Sequence, residues 1–256
     1  MSAKYLILHK FKRLIIPSII FSICYILLFG DIHQSPAHTI YDIVNGAGHM
    51  WFLPMLFWCF IAIWIIGNYF PKPRIVLPIL LVLSICPEIS LPFRLSNTQY
   101  YLFYFYAGYC IQGKQFNLTR SYKTSYAIAL SLVFLVLFYT LTMLGWRIPP
   151  ISRIARIIYS SLGLVLLFYF AGIIDSKCPK PLPGWILKIG SLCMGVYLIQ
   201  QFILKALYQH TSLPTALGPI WLPWAGFIIA LTGSALLVFT FKSLQELTRA
   251  ESRREG

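Results

Sequence analysis

Gly46-Ala47-Gly48-His49-Met50-Trp51-Phe52-Leu53-Pro54 opens an apolar run that carries no charge through Asn68. A helix needs roughly 20 predominantly apolar residues to cross a bilayer, so this run reads as a membrane span. It begins on an imidazole, the one side chain whose ordinary pKa lets it take and return a proton near neutral pH. Trp51 follows at the level where an amphipathic indole is comfortable, between headgroups and hydrocarbon. Two readings of His49 stand side by side: a proton-transfer group at the mouth of a span, and a polar anchor at the interface.

The whole chain has the character of this stretch. Of its 256 residues, 58% are hydrophobic and only 11% charged, with a mean hydropathy of +0.73, values outside those of ordinary soluble domains. Apolar runs recur at about 14–30, 50–69, 75–87, 99–112, 124–145, 156–174, 186–208 and 219–241. These predict an all-α polytopic bundle of about eight spans, residues 1–241, followed by a charged tail, residues 242–256. The third and fourth runs are short, and Pro78 and Pro87 bracket the third, so tilting or breakage is expected there.

All Lys and Arg except Arg94, Arg147, Arg153, Arg156 and Lys205 fall on one side of the alternating loops. The positive-inside rule then places both termini in the cytoplasm and His49 on the outer side. The formal charge of +14 reports this orientation and contact with anionic lipid. Nucleic acid is excluded as a partner, because no basic stretch interleaved with aromatics lies outside the spans.

The chain has six cysteines but no CxxC pair, and Cys24, Cys59, Cys86, Cys110 and Cys193 fall in or beside apolar runs. They read as packing residues rather than disulfides or metal ligands. Asp31, His33, His38 and Asp42 crowd the first outer loop without the spacing of a metal site, so no metal is assigned and the segment is read as solvated loop.

Lys10-Phe11-Lys12-Arg13-Leu14-Ile15-Ile16-Pro17 leads into the first span. On a regular helix Lys10 and Arg13 share a face, and Pro17 lacks the amide that would bond the Arg13 carbonyl. The cluster is either a topology determinant or an anion site for the phosphates of a cytoplasmic coenzyme, Arg13 being the stronger grip by virtue of its guanidinium fork. Glu88 ends the third span on the same side as His49 and is a candidate partner for the imidazole, or a simple interfacial carboxylate. Arg147, Arg153 and Arg156 form the outer basic cluster, suited to an anionic acceptor or equally to phospholipid phosphate. The aromatic run from Tyr100 to Tyr109 reads as core and belt packing.

Four elements in order carry a resemblance: the basic pair running into Leu-Ile-Ile-Pro, His49-Met50-Trp51-Phe52-Leu53, Phe105-Tyr106-Ala107-Gly108-Tyr109, and Gly195-Val196-Tyr197-Leu198-Ile199. Together they resemble the integral membrane acyltransferase 3 family over nearly the whole chain. The resemblance implies a bacterial inner-membrane O-acyltransferase, with acyl-CoA, commonly acetyl-CoA, as co-substrate and no permanently bound cofactor. The acceptor it implies is a sugar hydroxyl of a surface polysaccharide or its lipid-linked precursor. On the matched motifs this places Lys10, Lys12 and Arg13 at the coenzyme and His49 as base; beside them, and from their own chemistry and position, Glu88 is the candidate partner of His49, and Trp51, Arg147 and Arg153 are the candidates for the acceptor. The family pattern has two spans and a further histidine before the basic pair, so the chain is expected to lack them. It also has Arg where Lys10 stands and His where Gln200 stands. A transporter or flippase, or a catalytically silent subunit of the same envelope pathway, is the alternative. Against proton coupling, all seven acids lie in loops, span ends or the tail.

Overall fold

The computed structural model describes residues 2–29, 35–70, 72–87, 91–111, 124–143, 149–177 and 184–252. Its elements are α1 (Ala3–Lys10), a π-helical turn (Phe11–Ile15), α2 (Ile16–Phe29), α3 (Pro36–Asn45), a 3-10 turn (Gly48–Trp51), α4 (Phe52–Tyr69), α5 (Pro73–Ile85), α6 (Leu95–Ile111), α7 (Thr124–Met143), α8 (Pro149–Lys177), α9 (Gly184–His210) and α10 (Leu213–Ser252). The protein is an all-α membrane bundle. Each of the eight apolar runs coincides with a helical segment, and Ala3–Phe29, Gly48–Tyr69, Ser152–Gly172 and Trp221–Lys242 are long and apolar enough to cross a bilayer. Leu167, Trp221 and Phe239 are exposed on these helices, and Leu135 and Val136 on α7, as side chains solvated by lipid would be. At 13 residues α5 rises only about 20 Å, less than the hydrocarbon core of roughly 30 Å.

The chain divides into two compact units, one of Met1–Ile23 with Ile32–Cys178 and the other of Cys24–Asp31 with Pro179–Gly256. In the second, α9 packs on α10, and a methyl group added at Gly195 would meet the Val238 side chain at 2.7 Å, so glycine permits the close approach. The α10 helix breaks at Gly218 and otherwise continues to Ser252, so the compositional boundary at 241/242 falls inside a helix.

The first unit holds the candidate site. Its core is a stripe at four-residue spacing from each of three helices: Met55, Cys59 and Ile63 of α4, Val76 and Leu80 of α5, Leu102 and Tyr106 of α6. Such spacing puts residues on one helix face, and the three faces meet. Gln99 of α6 caps the end of α5, its Nε2 donating to the carbonyls of Leu83 at 2.8 Å and Cys86 at 3.2 Å.

The first span packs antiparallel to α4. Lys10 lies over the ring of Phe60, Phe11 meets Phe57 edge to face, Ser18 donates to the Met50 carbonyl, and the Ala47 amide reaches Ser22. Just before Pro17 the helix widens into its π turn. The Ile16 amide bonds back to the Phe11 carbonyl, five residues earlier, where Pro17 has no amide to offer the Arg13 carbonyl.

The segment expected to be solvated loop between the first two spans contains α3. Pro36 occupies its first turn behind Ser35, a position that suits proline's fixed φ, and Gly46 at φ 82° ends it. His38 and Asp42 therefore stand one turn apart on a helix; Asp31 and His33 lie outside the described residues.

Candidate active site

The His49 element is a tight turn held from three directions. Gly46, in a backbone conformation open to glycine, folds the chain back so closely that an added methyl group would lie 2.5 Å from the Met50 carbonyl carbon and 2.6 Å from the Trp51 nitrogen. From the first span, Ser22 Oγ accepts the Ala47 amide at 3.0 Å and Ser18 Oγ lies 3.5 Å from the Met50 carbonyl oxygen. Both serines are buried, one helical turn apart on one face of α2. From the turn just before α6, Arg94 Nε donates to the Asn45 carbonyl at 3.0 Å, tying the end of α3 to the start of α6.

Within this turn Met50 and Leu53 are wholly buried and anchor the backbone, while His49 remains half-buried with its Nδ1 edge shielded from solvent. Trp51 leans on Tyr101 with ring centroids 5.8 Å apart. Tyr101 in turn packs edge to face with Tyr100 at 5.0 Å, and Tyr100 lies 6.1 Å from Tyr104. An aromatic series thus links the histidine turn to α6.

That series reaches a cavity of about 1010 Å3 between α6 and α8, lined by Tyr100, Tyr101 and Tyr104 on one wall and Arg153, Arg156 and Tyr159 on the other. A second cavity of about 990 Å3 lies between the first span, α4 and α6, lined among others by Lys10, Phe60, Trp64 and Asn68. The two have Tyr104, Gly108, Ile111 and Phe168 in common. Residues 104, 108 and 111 form a single stripe of α6, so both cavities open on that stripe. At Gly108 an added methyl group would meet nothing within 4 Å, leaving the junction clear.

The three cations grouped by sequence separate in space. Lys10 turns inward, its Nζ 3.6 Å from the centroid of the Phe60 ring, and lines the second cavity. Lys12 and Arg13 are exposed and line neither cavity. The expectation of one shared face assumed 3.6 residues per turn, and the π turn removes that regularity. Nor does Lys10 stand at the far end of the span: Phe60, its partner, is eleven residues beyond His49 on the uncharged run, on the order of 17 Å along the axis and about midway down α4.

Among the acceptor-side candidates, Arg153 lines the first cavity and donates through Nη1 to the Cys86 carbonyl at the end of α5. Trp51 supports Tyr101 from behind. Glu88 and Arg147 lie outside the described residues. Residue-type reasoning missed Ser18, Ser22 and Gly108, whose roles depend on what faces them. It also assigned the tyrosine run to packing: Tyr106 is core, but Tyr100, Tyr101 and Tyr104 line a cavity. The signal available was the four-residue spacing of Ser18 with Ser22 and of Tyr100 with Tyr104 and Gly108.

No curated protein and no solved structure matches the chain. A family model described as an acyltransferase domain, of the acyltransferase 3 type, matches residues 1–240. With that match over nearly its whole length, and with helices built to cross a bilayer, the chain belongs to the acyltransferase 3 family and is a membrane acyltransferase.

Proposed function

We propose that the protein moves an acyl group, in the simplest case acetyl, from acyl-CoA on the cytoplasmic side of a bacterial inner membrane to a sugar hydroxyl outside. The acceptor is a surface polysaccharide or its lipid-linked precursor. The observation that carries this reading is the common stripe of Tyr104, Gly108 and Ile111, on which a Lys10-lined cavity and an arginine-lined cavity both open. A donor and an acceptor on opposite sides of a membrane need such a passage; His49 itself lines neither cavity and is reached from the first through Tyr100, Tyr101 and Trp51.

Lys10 is suited to an anionic part of the donor, since its ammonium is already turned into the cavity. His49 takes the proton of the attacking hydroxyl at Nε2, because Nδ1 is shielded. The hydroxyl oxygen bonds to the thioester carbonyl carbon, the carbon–sulfur bond breaks, and the proton held by the imidazole passes to the departing thiolate. The products are an ester and free coenzyme A.

The test is transfer of label from acetyl-CoA to envelope glycan in cells expressing wild type, His49→Ala or His49→Gln at matched levels. Both variants should lose activity by about a hundredfold to ten-thousandfold, the usual cost of removing a well-placed general base. Full activity in both would return His49 to the role of interfacial anchor. Reporter fusions test the orientation: a cytoplasmic location for residues 31–48 would rule out an outward-facing His49.

A further inference from the structure

The cavity between α6 and α8 does not include His49 among its lining residues, yet it carries chemistry of its own. On α8 the polar side chains Arg153, Arg156 and Ser160 follow one another at helical spacing along one face, and all line the cavity. Ile154, Ile158 and Leu167 of the same helix are exposed elsewhere. An α8 that met only lipid would have no reason to segregate its polar residues in this way, and ionisable groups in a membrane segment are costly unless they serve a pathway or site.

The facing wall on α6 supplies aromatic surface with hydroxyls attached. The Tyr100 phenol is within hydrogen-bonding reach of Ser160 and Tyr104, and Tyr104 donates to the Ile157 carbonyl at 3.0 Å. The Tyr104 bond fixes the orientation of its ring on this wall. A wall of oriented phenols opposite a row of hydroxyl and guanidinium groups combines flat apolar faces with hydrogen-bonding edges, which is what a sugar ring presents in complement. No acidic side chain is among the described lining residues, so the potential inside is positive.

We infer that this cavity is a binding site for an anionic saccharide, a sugar carrying a phosphate or a carboxylate, with the ring between the tyrosines and the oxyanion at Arg156. Arg156 is the exposed guanidinium of the two, while Arg153 also ties α8 to the Cys86 carbonyl. The oxyanion comes either from the phosphate that joins a sugar to its lipid carrier or from a charged glycan unit, and both present the same group to a guanidinium fork. The inference rests on the acyl-transfer reading for its biological sense, but its test does not.

The experiment is saturation-transfer NMR on the full chain in zwitterionic nanodiscs, with glucuronate, glucose 1-phosphate, glucose and glycerol 1-phosphate as probes. Glucuronate and glucose 1-phosphate should bind through their ring protons. Arg156→Gln should weaken both by about tenfold or more, the usual scale for a hydrogen bond to a charged group. Tyr159→Phe, which keeps the ring, should retain binding, while Tyr159→Ala should lose ring-proton contact. Glucose binding as well as the charged sugars, or an Arg156→Gln variant that binds them unchanged, would overturn the inference. Glycerol 1-phosphate matching glucose 1-phosphate would overturn it too, by marking a phospholipid headgroup site. If charged sugars bind in an Arg156-dependent way while no acyl transfer is found, the site stands and the transfer reading falls. Transfer to a neutral glycan that is indifferent to Arg156→Gln would do the reverse, upholding transfer and removing the anionic-saccharide site.

Discussion

The Ala47 amide donates to Ser22 Oγ across 25 residues of chain, at 3.0 Å, and this bond joins the histidine turn to the first span. Removing the acceptor leaves a buried amide without its partner, a cost of about 1–3 kcal/mol. Ser22→Ala should therefore lower the unfolding temperature in detergent and reduce acyl transfer together. Ser234→Ala, which removes only bonds within its own helix, to the carbonyls of Ala230 and Leu231, serves as the control and should leave transfer nearly unchanged. Equal transfer in the Ser22 variant and wild type would mean that the turn keeps its place by apolar packing at Met50 and Leu53.

Gly46→Ala should be more damaging than Ser22→Ala. At φ 82° an alanine is strained, and its methyl would collide with the backbone of Met50 and Trp51, which has no side-chain freedom to yield. Destabilisation should exceed about 1 kcal/mol, read as a lower unfolding temperature and a smaller yield of monodisperse protein. A variant as stable and active as wild type would show that the turn adopts another path.

Arg13 has the guanidinium fork that favours it in the sequence, whereas Lys10 is the one that lines a cavity. Lys10→Ala should weaken acetyl-CoA binding more than Arg13→Ala, because Lys10 lines the cavity and Arg13 is exposed outside it. Calorimetry on detergent-purified protein decides the order. A larger loss at Arg13 would favour gripping of the donor at the surface, before it enters the cavity.

Gly108→Leu should fill the junction of the two cavities without disturbing the helices, since the space beyond its Cα is open. The variant should purify normally and unfold near the wild-type temperature, yet transfer should fall steeply while acetyl-CoA binding persists. Normal turnover in Gly108→Leu would mean that the acyl group does not pass this stripe on its way to the histidine turn.

Sequence alone determined that the chain is a helical membrane protein and where its helices run, because the bilayer imposes length and apolarity on each span separately. Resemblance of four short motifs was enough for the family, and the match over residues 1–240 agrees with it. The register between spans was not legible in the same way. Ser18 and Ser22 look like small residues tolerated in an apolar run until Ala47 and Met50 are set opposite them. Lys10 and Arg13 look equivalent until a π turn before Pro17 sends one inward and leaves the other outside. Tyr100 and Tyr106 come from one aromatic run, yet one lines a cavity and the other fills the core. Hydropathy reports how each residue partitions between lipid and water. Which polar groups converge depends on the rotation and offset of packed helices, and only the tertiary structure decided those.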